Sequence, residues 1–267
     1  MNNNNPNPTS PPPLSSPSSP PDRSKTFTCV RTTLPRPPPF PRNPILTDRL
    51  VLRPPTERDI PALHVLRTQP EVMRWTSQGR PDGGVEETRA AVWQFLVDEQ
   101  GGRRLAGEEE GEGARETFNF LICLRREEDN QVGEGEVIGI GGCLRWKGAF
   151  GWPEVGYMIR REVWGKGLAT EFLRGWMEAW EGLEREEVEI EVDRRTVEGQ
   201  EAEGEGEGEG QRDGLVRVRE QLVAITAQGN EKSQKVLGKC GFEWFTTWTV
   251  EEEGEEGKVV ALPTFRR

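Results

Sequence analysis

The sequence is poor in the residues from which metal sites and disulfide frameworks are built. Its 267 residues include one histidine, His64, and four cysteines that lie far apart without a C-x-x-C pair. This scarcity excludes a zinc site and predicts reduced, mostly buried thiols, as in a cytoplasmic protein. The chain also has no run of about 18 apolar residues, which excludes a transmembrane helix. Its first residues are neither basic nor apolar, so no cleaved secretory signal is expected.

Hydrophobic residues are scarce too, at 33% of the chain, and charge is unevenly distributed. Residues 1–44 are rich in Asn, Pro and Ser, which predicts a disordered tail, either a plain solvated extension or a Pro-rich ligand. Gly/Glu-rich insertions are predicted near 101–116 and 194–214. Within and beyond them, residues 105–116, 194–214 and 251–256 carry net charges of -4, -4 and -5, which exceed the net charge of -11 of the whole chain. That charge argues against nucleic-acid binding. The rest of the chain is slightly basic, so it can still offer a pocket to an anion.

Residues 45–267 carry the hydrophobic periodicities of one folded domain. Thr56 and Asp59 form a predicted capping box ahead of the first helix. Further helices are predicted from residue 85, over 168–180 and over 230–241, and strands over 46–53, 118–124, 137–146, 154–159, 222–227, 242–250 and 259–262. Helices and strands interleaved in this way predict an α/β (α+β) domain.

The most informative local pattern is the turn Trp164-Gly165-Lys166-Gly167, which joins the strand at 154–159 to the helix at 168–180. A glycine turn at a helix N-terminus can hold a pyrophosphate, because glycines let the backbone approach the anion and the first helical N–H groups donate to it. The helix dipole adds about 0.3–1 kcal/mol. Lys166, with Arg160 or Arg161, could supply positive charge.

The turn alone leaves other interpretations open. The Gly-Lys-Ser/Thr end of a P-loop is absent. A dinucleotide-binding fingerprint would need Gly or Ala where Thr170 stands, although an acid, Glu187, follows about 20 residues on. A tight turn without a ligand is the third possibility.

Several segments together resemble the GNAT superfamily of acyl-CoA N-acetyltransferases, and within it the RimJ/RimL-like group. The resemblance extends from Ile45 to about Val250. Its motifs, in the family's order, are Leu46 to Arg53, Pro70 to Trp75, Val137-Ile138-Gly139, Glu154-Val155-Gly156-Tyr157, Trp164 to Glu171 and Asn230-x-x-Ser233. Trp164 stands where the broad family has Gln or Arg, and this departure resembles the RimJ/RimL group.

The resemblance implies the GNAT fold, a mixed and mostly antiparallel sheet with a splayed central strand pair flanked by helices. The pantetheine arm of acetyl-CoA, the co-substrate, would lie where the strands at 154–159 and 222–227 splay apart, and no metal is implied. The cofactor contacts that follow from the resemblance are Met158, Ile159, Arg160, Val163, Trp164, Gly165, Lys166, Gly167, Leu168, Ala169, Thr170 and Asn230. Asn230 is also a good helix N-cap.

Acyl transfer from a thioester needs a base for the ammonium, a donor to the carbonyl oxygen and a donor to the departing sulfur. Glu154 is the best candidate base, unless it is a solvated carboxylate at the strand end, and a backbone N–H near Met158 is the candidate carbonyl donor. Many GNAT enzymes use a tyrosine where this chain has Leu237. Tyr157 is expected to pack in the core. Ser233 is therefore the candidate sulfur donor, unless it caps its helix.

The resemblance predicts a cytoplasmic N-acetyltransferase that acetylates a primary amine, at a protein N-terminus or on a small molecule, by direct transfer in a ternary complex. Trp75 is the candidate residue for binding the acceptor, and core packing is its alternative. No nucleic-acid or membrane partner and no particular oligomeric state are predicted. The rival hypothesis is a catalytically inactive GNAT-shaped module that binds acyl-CoA or regulates another protein.

Overall fold

A computed structural model describes residues 26–37, 43–97, 118–126, 135–199, 215–251 and 259–267. The predicted acidic insertion at 101–116, most of that at 194–214 and residues 1–25 and 38–42 of the predicted tail lie outside the described residues. The helices within these ranges are α1 (Ile60–Arg67), α2 (Pro70–Met73), α3 (Val85–Val92), α4 (Leu168–Glu181) and α5 (Glu231–Lys239). None of the described helices is long and apolar enough to cross a membrane.

Eight strands form the main sheet in the order β10-β11-β9-β6-β5-β4-β3-β2. Their bounds are β2 (Ile45–Leu46), β3 (Leu50–Arg53), β4 (Phe118–Leu124), β5 (Val137–Arg145), β6 (Glu154–Ile159), β9 (Val223–Ile225), β10 (Glu243–Glu251) and β11 (Val259–Arg266). Neighbouring strands are antiparallel, except that β6 and β9 run parallel. The predicted mixed, mostly antiparallel sheet is therefore confirmed.

The central strands β6 and β9 are paired at one position only, Glu154 opposite Val223. Beyond that pair the two parallel strands are no longer hydrogen-bonded to each other, so a gap opens in the middle of the sheet. This is the splay that the family resemblance predicted between the strands at 154–159 and 222–227.

Helices cover both faces of the sheet. One face carries the largest buried cluster, in which α4 lies against β4, β5 and β6. α4 forms there because Phe172, Leu173, Trp176 and Trp180 recur at helical spacing and are all buried. Trp176 donates its indole N–H to the Phe118 carbonyl at 2.9 Å, which anchors the helix to β4. A second cluster packs α1 and α3 on the opposite face.

The predicted strand at 46–53 is interrupted. The structure has β2 and β3 with a turn at Thr47–Arg49 between them, in which the Leu50 amide donates to Thr47 Oγ1 at 3.0 Å. The predicted capping box is confirmed, since the Thr56 amide donates to Asp59 Oδ2 at 2.8 Å ahead of α1.

The prediction of a disordered tail over residues 1–44 is wrong for β1 (Phe27–Pro35). This strand pairs along its whole length with β7 (Arg185–Asp193) and at its middle with β8 (Val216–Arg217), in a second sheet ordered β7-β1-β8. Val30 and Leu34 are buried in a cluster with Trp152 and Val192. The alternation of apolar and polar residues in β1 outweighs the Pro-rich composition on either side of it.

Burial of Val30 makes the contribution of β1 to stability measurable. Val30→Ser is expected to lower the free energy of unfolding by about 2–3 kcal/mol, because it removes a buried side chain and leaves a hydroxyl in an apolar cluster. Cys29→Ser, the same new residue on the exposed side of β1, is the matched control and should stay within about 0.5 kcal/mol of the parent. Urea unfolding of the full chain measures both changes, and equal stability of the two variants would contradict the assignment of β1 to the fold.

Candidate functional site

The backbone of β6 alternates between its neighbour β5 and the gap. The Arg160 amide donates to the Ile138 carbonyl of β5 at 2.7 Å. In an antiparallel pair every second residue makes such bonds, so the backbone of Met158 bonds to Ile140, the residue opposite it in the register. The Met158 amide is therefore part of the sheet, and the predicted donor near Met158 has to be the amide of a neighbouring residue.

The backbone groups that face the gap belong to Tyr157 and Ile159. On that edge of β6 the Val223 amide donates to the Pro153 carbonyl at 2.9 Å, and the alternation continues through residues 155, 157 and 159. The Ile159 carbonyl accepts the indole N–H of Trp164 at 2.7 Å. The cofactor contact predicted for Ile159 would therefore use its amide. The Ile159 carbonyl is already bonded to Trp164 and fixes the start of the glycine turn.

The glycine turn is built on two residues in the left-handed conformation. Gly165 has φ 77° and Gly167 has φ 78°, which other residues adopt only with strain. Gly167 is the N-cap of α4, and no side chain in the described part of the chain caps this end, whereas the Glu171 amide already bonds to the Gly167 carbonyl. The N–H groups of Leu168, Ala169 and Thr170 therefore have no partner within the helix, as an anion site requires.

Glu171 ties the turn to the chain between β2 and β3. Its carboxylate accepts from the Thr47 hydroxyl and the Arg49 amide at 2.7 Å each, and it pairs with the Arg49 guanidinium at 2.6 Å. Burial raises the pKa of Glu171, but these hydrogen bonds and the Arg49 charge outweigh burial and lower it. Arg49 also donates to the Lys166 carbonyl at 3.1 Å. Sequence reasoning missed Arg49 because it assigned this residue to a regular strand.

The basic residues near the turn differ in how far their charges are already paired. Arg160 pairs with Glu136 at 3.0 Å and Glu162 at 3.6 Å, so its predicted contact with the cofactor competes with two carboxylates. Lys166 is exposed in the turn itself. The ammonium of Lys232 lies 5.0 Å from the centre of the Trp164 ring, a cation–π distance that brings α5 against the turn.

Glu154 lies at the closed end of the gap, because it is the one β6 residue that pairs with β9. It is 7% exposed, so the alternative of a solvated strand-end carboxylate is excluded. Its Oε1 is 3.4 Å from Arg145 Nη1, while Oε2 is buried and has no hydrogen-bond partner among the described residues. A buried carboxylate oxygen without a donor is costly, which suits an atom that receives a proton from a substrate.

Ser233 lies in the first turn of α5, on the far side of the gap. Its amide donates to Asn230 Oδ1 at 3.3 Å, so the predicted N-cap role of Asn230 is confirmed. Its hydroxyl is 3.0 Å from the hydroxyl of Tyr157. The packing predicted for Tyr157 is confirmed by its ring contact with Phe172, but sequence reasoning missed the hydroxyl pair, since Tyr157 and Ser233 are 76 residues apart in the chain. Leu237 is buried.

Trp75 follows α2 in the loop that leads to α3. It is half-buried, and the Arg74 guanidinium lies over its ring at 4.5 Å. A buried ion pair fixes the loop, with Arg67 Nε 2.7 Å from Asp82 Oδ2. The Thr88 hydroxyl donates its proton to the same Asp82 oxygen at 2.6 Å. The Thr88 oxygen can then only accept from His64 Nδ1, which lies 2.8 Å away. The acceptor role of Trp75 stays a prediction.

The Arg67–Asp82 pair gives the loop a defined acid sensitivity. Burial raises the pKa of Asp82, but hydrogen bonds from Arg67, Thr88 and Gln78 outweigh burial and lower it to about 2. A carboxyl whose pKa is lower in the folded state than in the unfolded state stabilises the fold at pH values above its ordinary pKa, which is near 4. This contribution is lost as pH falls from about 4 to about 2.

Asp82→Asn is expected to destabilise the chain by about 3–5 kcal/mol, because it leaves the Arg67 charge buried without a counter-ion. The variant should also lose the part of the acid sensitivity that falls between pH 4 and 2. Urea unfolding at a series of pH values measures both effects. Glu87→Gln is the control, because its exposed pair with Arg80 contributes at most about 1 kcal/mol. Equal losses in the two variants would show that the buried pair does not hold the loop.

Comparison with protein-family models shows which family these features belong to. The model described as an acetyltransferase (GNAT) domain matches residues 49–243, which include the gap, the glycine turn and α5. The chain is a member of the GNAT acetyltransferase family. A comparison with curated protein sequences gives no significant match. Among the described residues, no group of three or more His, Cys, Asp or Glu side chains could hold a metal ion.

Solved structures confirm the GNAT fold at low sequence identity. A GNAT-family acetyltransferase from Bacillus anthracis is 15% identical with a TM-score of 0.51, and the match covers 84% of this chain and 98% of that one. The microcin C7 self-immunity acetyltransferase MccE, solved with acetyl-CoA and AMP, is 12% identical with a TM-score of 0.50 and coverages of 83% and 93%. Spermidine N-acetyltransferase from Vibrio cholerae, solved with CoA and spermine, is also 12% identical with a TM-score of 0.50, at 83% and 96%.

Proposed function

We propose that this GNAT protein is an acetyl-CoA-dependent N-acetyltransferase of the RimJ/RimL-like group, which acetylates a primary amine by direct transfer in a ternary complex. The observation that carries the proposal is the gap between β6 and β9, which has the uncapped N-terminus of α4 at one end and the buried Glu154 at the other. The cytoplasmic location stays a prediction.

The residues around the gap fit acetyl-CoA, the acetyl donor. Its pyrophosphate would accept from the N–H groups of Leu168, Ala169 and Thr170, with positive charge from Lys166 beside them. The amide groups of the pantetheine arm would bond to the edge of β6, where Tyr157 and Ile159 present backbone groups without a partner strand. The solved relatives named above support this assignment, because one contains acetyl-CoA and another contains CoA.

Each chemical requirement of the transfer has a candidate residue. Glu154 would remove the proton from the acceptor ammonium, since its Oε2 lacks a donor. The gap-facing amide of Tyr157 would donate to the thioester carbonyl as its oxygen gains negative charge. Ser233 would donate to the sulfur when the C–S bond breaks. The free amine attacks the carbonyl carbon, CoA leaves as a thiolate with the electron pair of the broken C–S bond, and the attacking nitrogen loses its second proton to solvent as the amide forms.

Direct transfer is proposed because no cysteine suits a covalent intermediate. Cys240 lies near the motif, with its Sγ 3.8 Å from the Thr170 carbonyl. Burial raises the pKa of Cys240, which keeps it a thiol at neutral pH and makes it a poor nucleophile. The amine would therefore attack acetyl-CoA itself.

The acceptor is proposed as a primary amine on a protein N-terminus or a small molecule. One solved relative is a spermidine N-acetyltransferase, which makes polyamines the first small amines to test. The RimJ/RimL resemblance makes peptides with a free N-terminal amine the second class.

The proposed use of acetyl-CoA predicts that Gly167→Glu abolishes its binding. The substitution strains a residue at φ 78° and places a negative charge at the phosphate position. Calorimetric titration of acetyl-CoA into the full chain measures the affinity. Gly199→Glu is the matched control, because Gly199, six residues beyond β7, also has φ 79°, and no atom of the described residues lies within 4 Å of a Cβ added there. If the parent chain fails to bind acetyl-CoA, or the two variants bind it equally, the proposed donor site is wrong.

The proposed base predicts that Glu154→Gln lowers kcat roughly 10²- to 10⁴-fold and leaves acetyl-CoA affinity unchanged. Amide formation from spermidine and from a short unblocked peptide provides the activity measurement. An exposed carboxylate changed in the same way, Glu189→Gln on β7, should retain full activity. Acetyl-CoA binding by the parent chain without transfer to any amine would favour the rival hypothesis of an inactive acyl-CoA-binding module.

A further inference from the structure

The hydroxyl pair of Tyr157 and Ser233 crosses the gap. Tyr157 belongs to β6, whereas Ser233 belongs to α5, which follows β9 in the chain. The two oxygens are 3.0 Å apart, and either group is able to donate. The pair therefore joins the two sides of the gap at Tyr157. Tyr157 is the next residue after Val155 whose backbone faces the gap.

Packing holds the Tyr157 ring in one place. The ring meets Phe172 edge-on, with centroids 5.9 Å apart. On β5, a Cβ added at Gly141 would come within 2.6 Å of Tyr157 Cβ and 2.7 Å of Phe172 Cζ, so only glycine leaves room for both rings. Burial also raises the pKa of Tyr157 to about 12, so the phenol keeps its proton at any pH at which the enzyme would work.

Each hydroxyl has one proton, and the direction of the bond decides where the serine proton points. A phenol is the stronger donor of the two because it is more acidic than an alcohol. If Tyr157 donates, the Ser233 oxygen is the acceptor and its own proton is directed elsewhere. The Ser233 amide is already fixed by Asn230. Both the position and the orientation of the serine hydroxyl are then set by neighbours.

We propose that Tyr157 is a positioning residue, which donates its phenolic proton to Ser233 Oγ and thereby directs the Ser233 proton to the sulfur of CoA. This role rests on the proposed function. As the C–S bond breaks, the sulfur takes the electron pair and receives a hydrogen bond from Ser233. Tyr157 and Ser233 both keep their protons, and CoA leaves as a thiolate that solvent protonates.

The test compares CoA with desulfo-CoA, which lacks the sulfur that Ser233 would contact. Dissociation constants are measured by calorimetry at about pH 10, well above the ordinary cysteine pKa of about 8.5, so that a large share of the less acidic CoA thiol is also ionised. The proteins are the full-length parent, Tyr157→Phe, Ser233→Ala and the double variant. Tyr157→Phe keeps the ring that packs on Phe172, and thermal unfolding checks that each variant is folded.

The parent should bind CoA more tightly than desulfo-CoA, and each single variant should reduce this preference by about tenfold, the value of one hydrogen bond to a charged group. Desulfo-CoA affinity should be unchanged, and the double variant should lose no more than either single variant, because both changes remove the same interaction. A loss in Ser233→Ala but not in Tyr157→Phe would overturn the positioning role.

Two further outcomes separate this role from the proposed function. If desulfo-CoA binds and all four proteins show the same preference, the role of the hydroxyl pair is wrong and the acyl-CoA site stands. If the parent chain binds neither compound, the proposed function fails, and the role of Tyr157 fails with it.

Discussion

Backbone hydrogen bonding in the centre of the main sheet ends after one residue pair between β6 and β9, and the site is organised around this interruption. A buried strand edge must find partners for its N–H and C=O groups, or the fold loses free energy at each of them. At this edge one of those groups, the Ile159 carbonyl, is satisfied by the Trp164 side chain. The remainder form a row of regularly spaced donors and acceptors, which suits an extended ligand that carries amides of its own.

The neighbouring elements keep the interruption open. On the β6 side, Trp164 connects the strand end to the glycine turn, and Glu171 connects α4 to Thr47 and Arg49. On the β9 side, Asn230 fixes the first turn of α5. These are short polar contacts made around the large aromatic cluster under α4. The apolar core therefore sets the position of the helices, and the hydrogen bonds set the orientation of their ends.

The sequence was informative where a local rule applied. The periodic apolar residues of α4, the Thr56 capping box and the glycine turn each depend on residues close together in the chain, and all three were predicted correctly. Which of the backbone groups near Met158 face the gap could not be predicted, because the alternation depends on the register with β5 rather than on residue type.

Interactions between distant segments were harder to predict. The Tyr157–Ser233 pair and the Arg49–Glu171 contact each join residues that no local pattern connects. Strand β1 was missed for a related reason. Its partner β7 is more than 150 residues further along, and the Pro-rich composition around β1 indicated a tail. Even so, every second residue in the central part of β1 is buried, namely Val30, Thr32 and Leu34.

The pairing of β1 with β7 also affects how the chain folds. The two strands meet antiparallel with Arg31 opposite Glu189, so β1 must wait for most of the domain to be made before it finds its partner. Without β1, β7 would present Val188, Ile190 and Val192 in alternation beside unpaired backbone groups, the kind of edge that associates with other chains. A chain shortened to begin at residue 45 would keep that edge open permanently. In the full chain β1 covers this edge of β7 along its whole length, as well as adding a strand to the sheet.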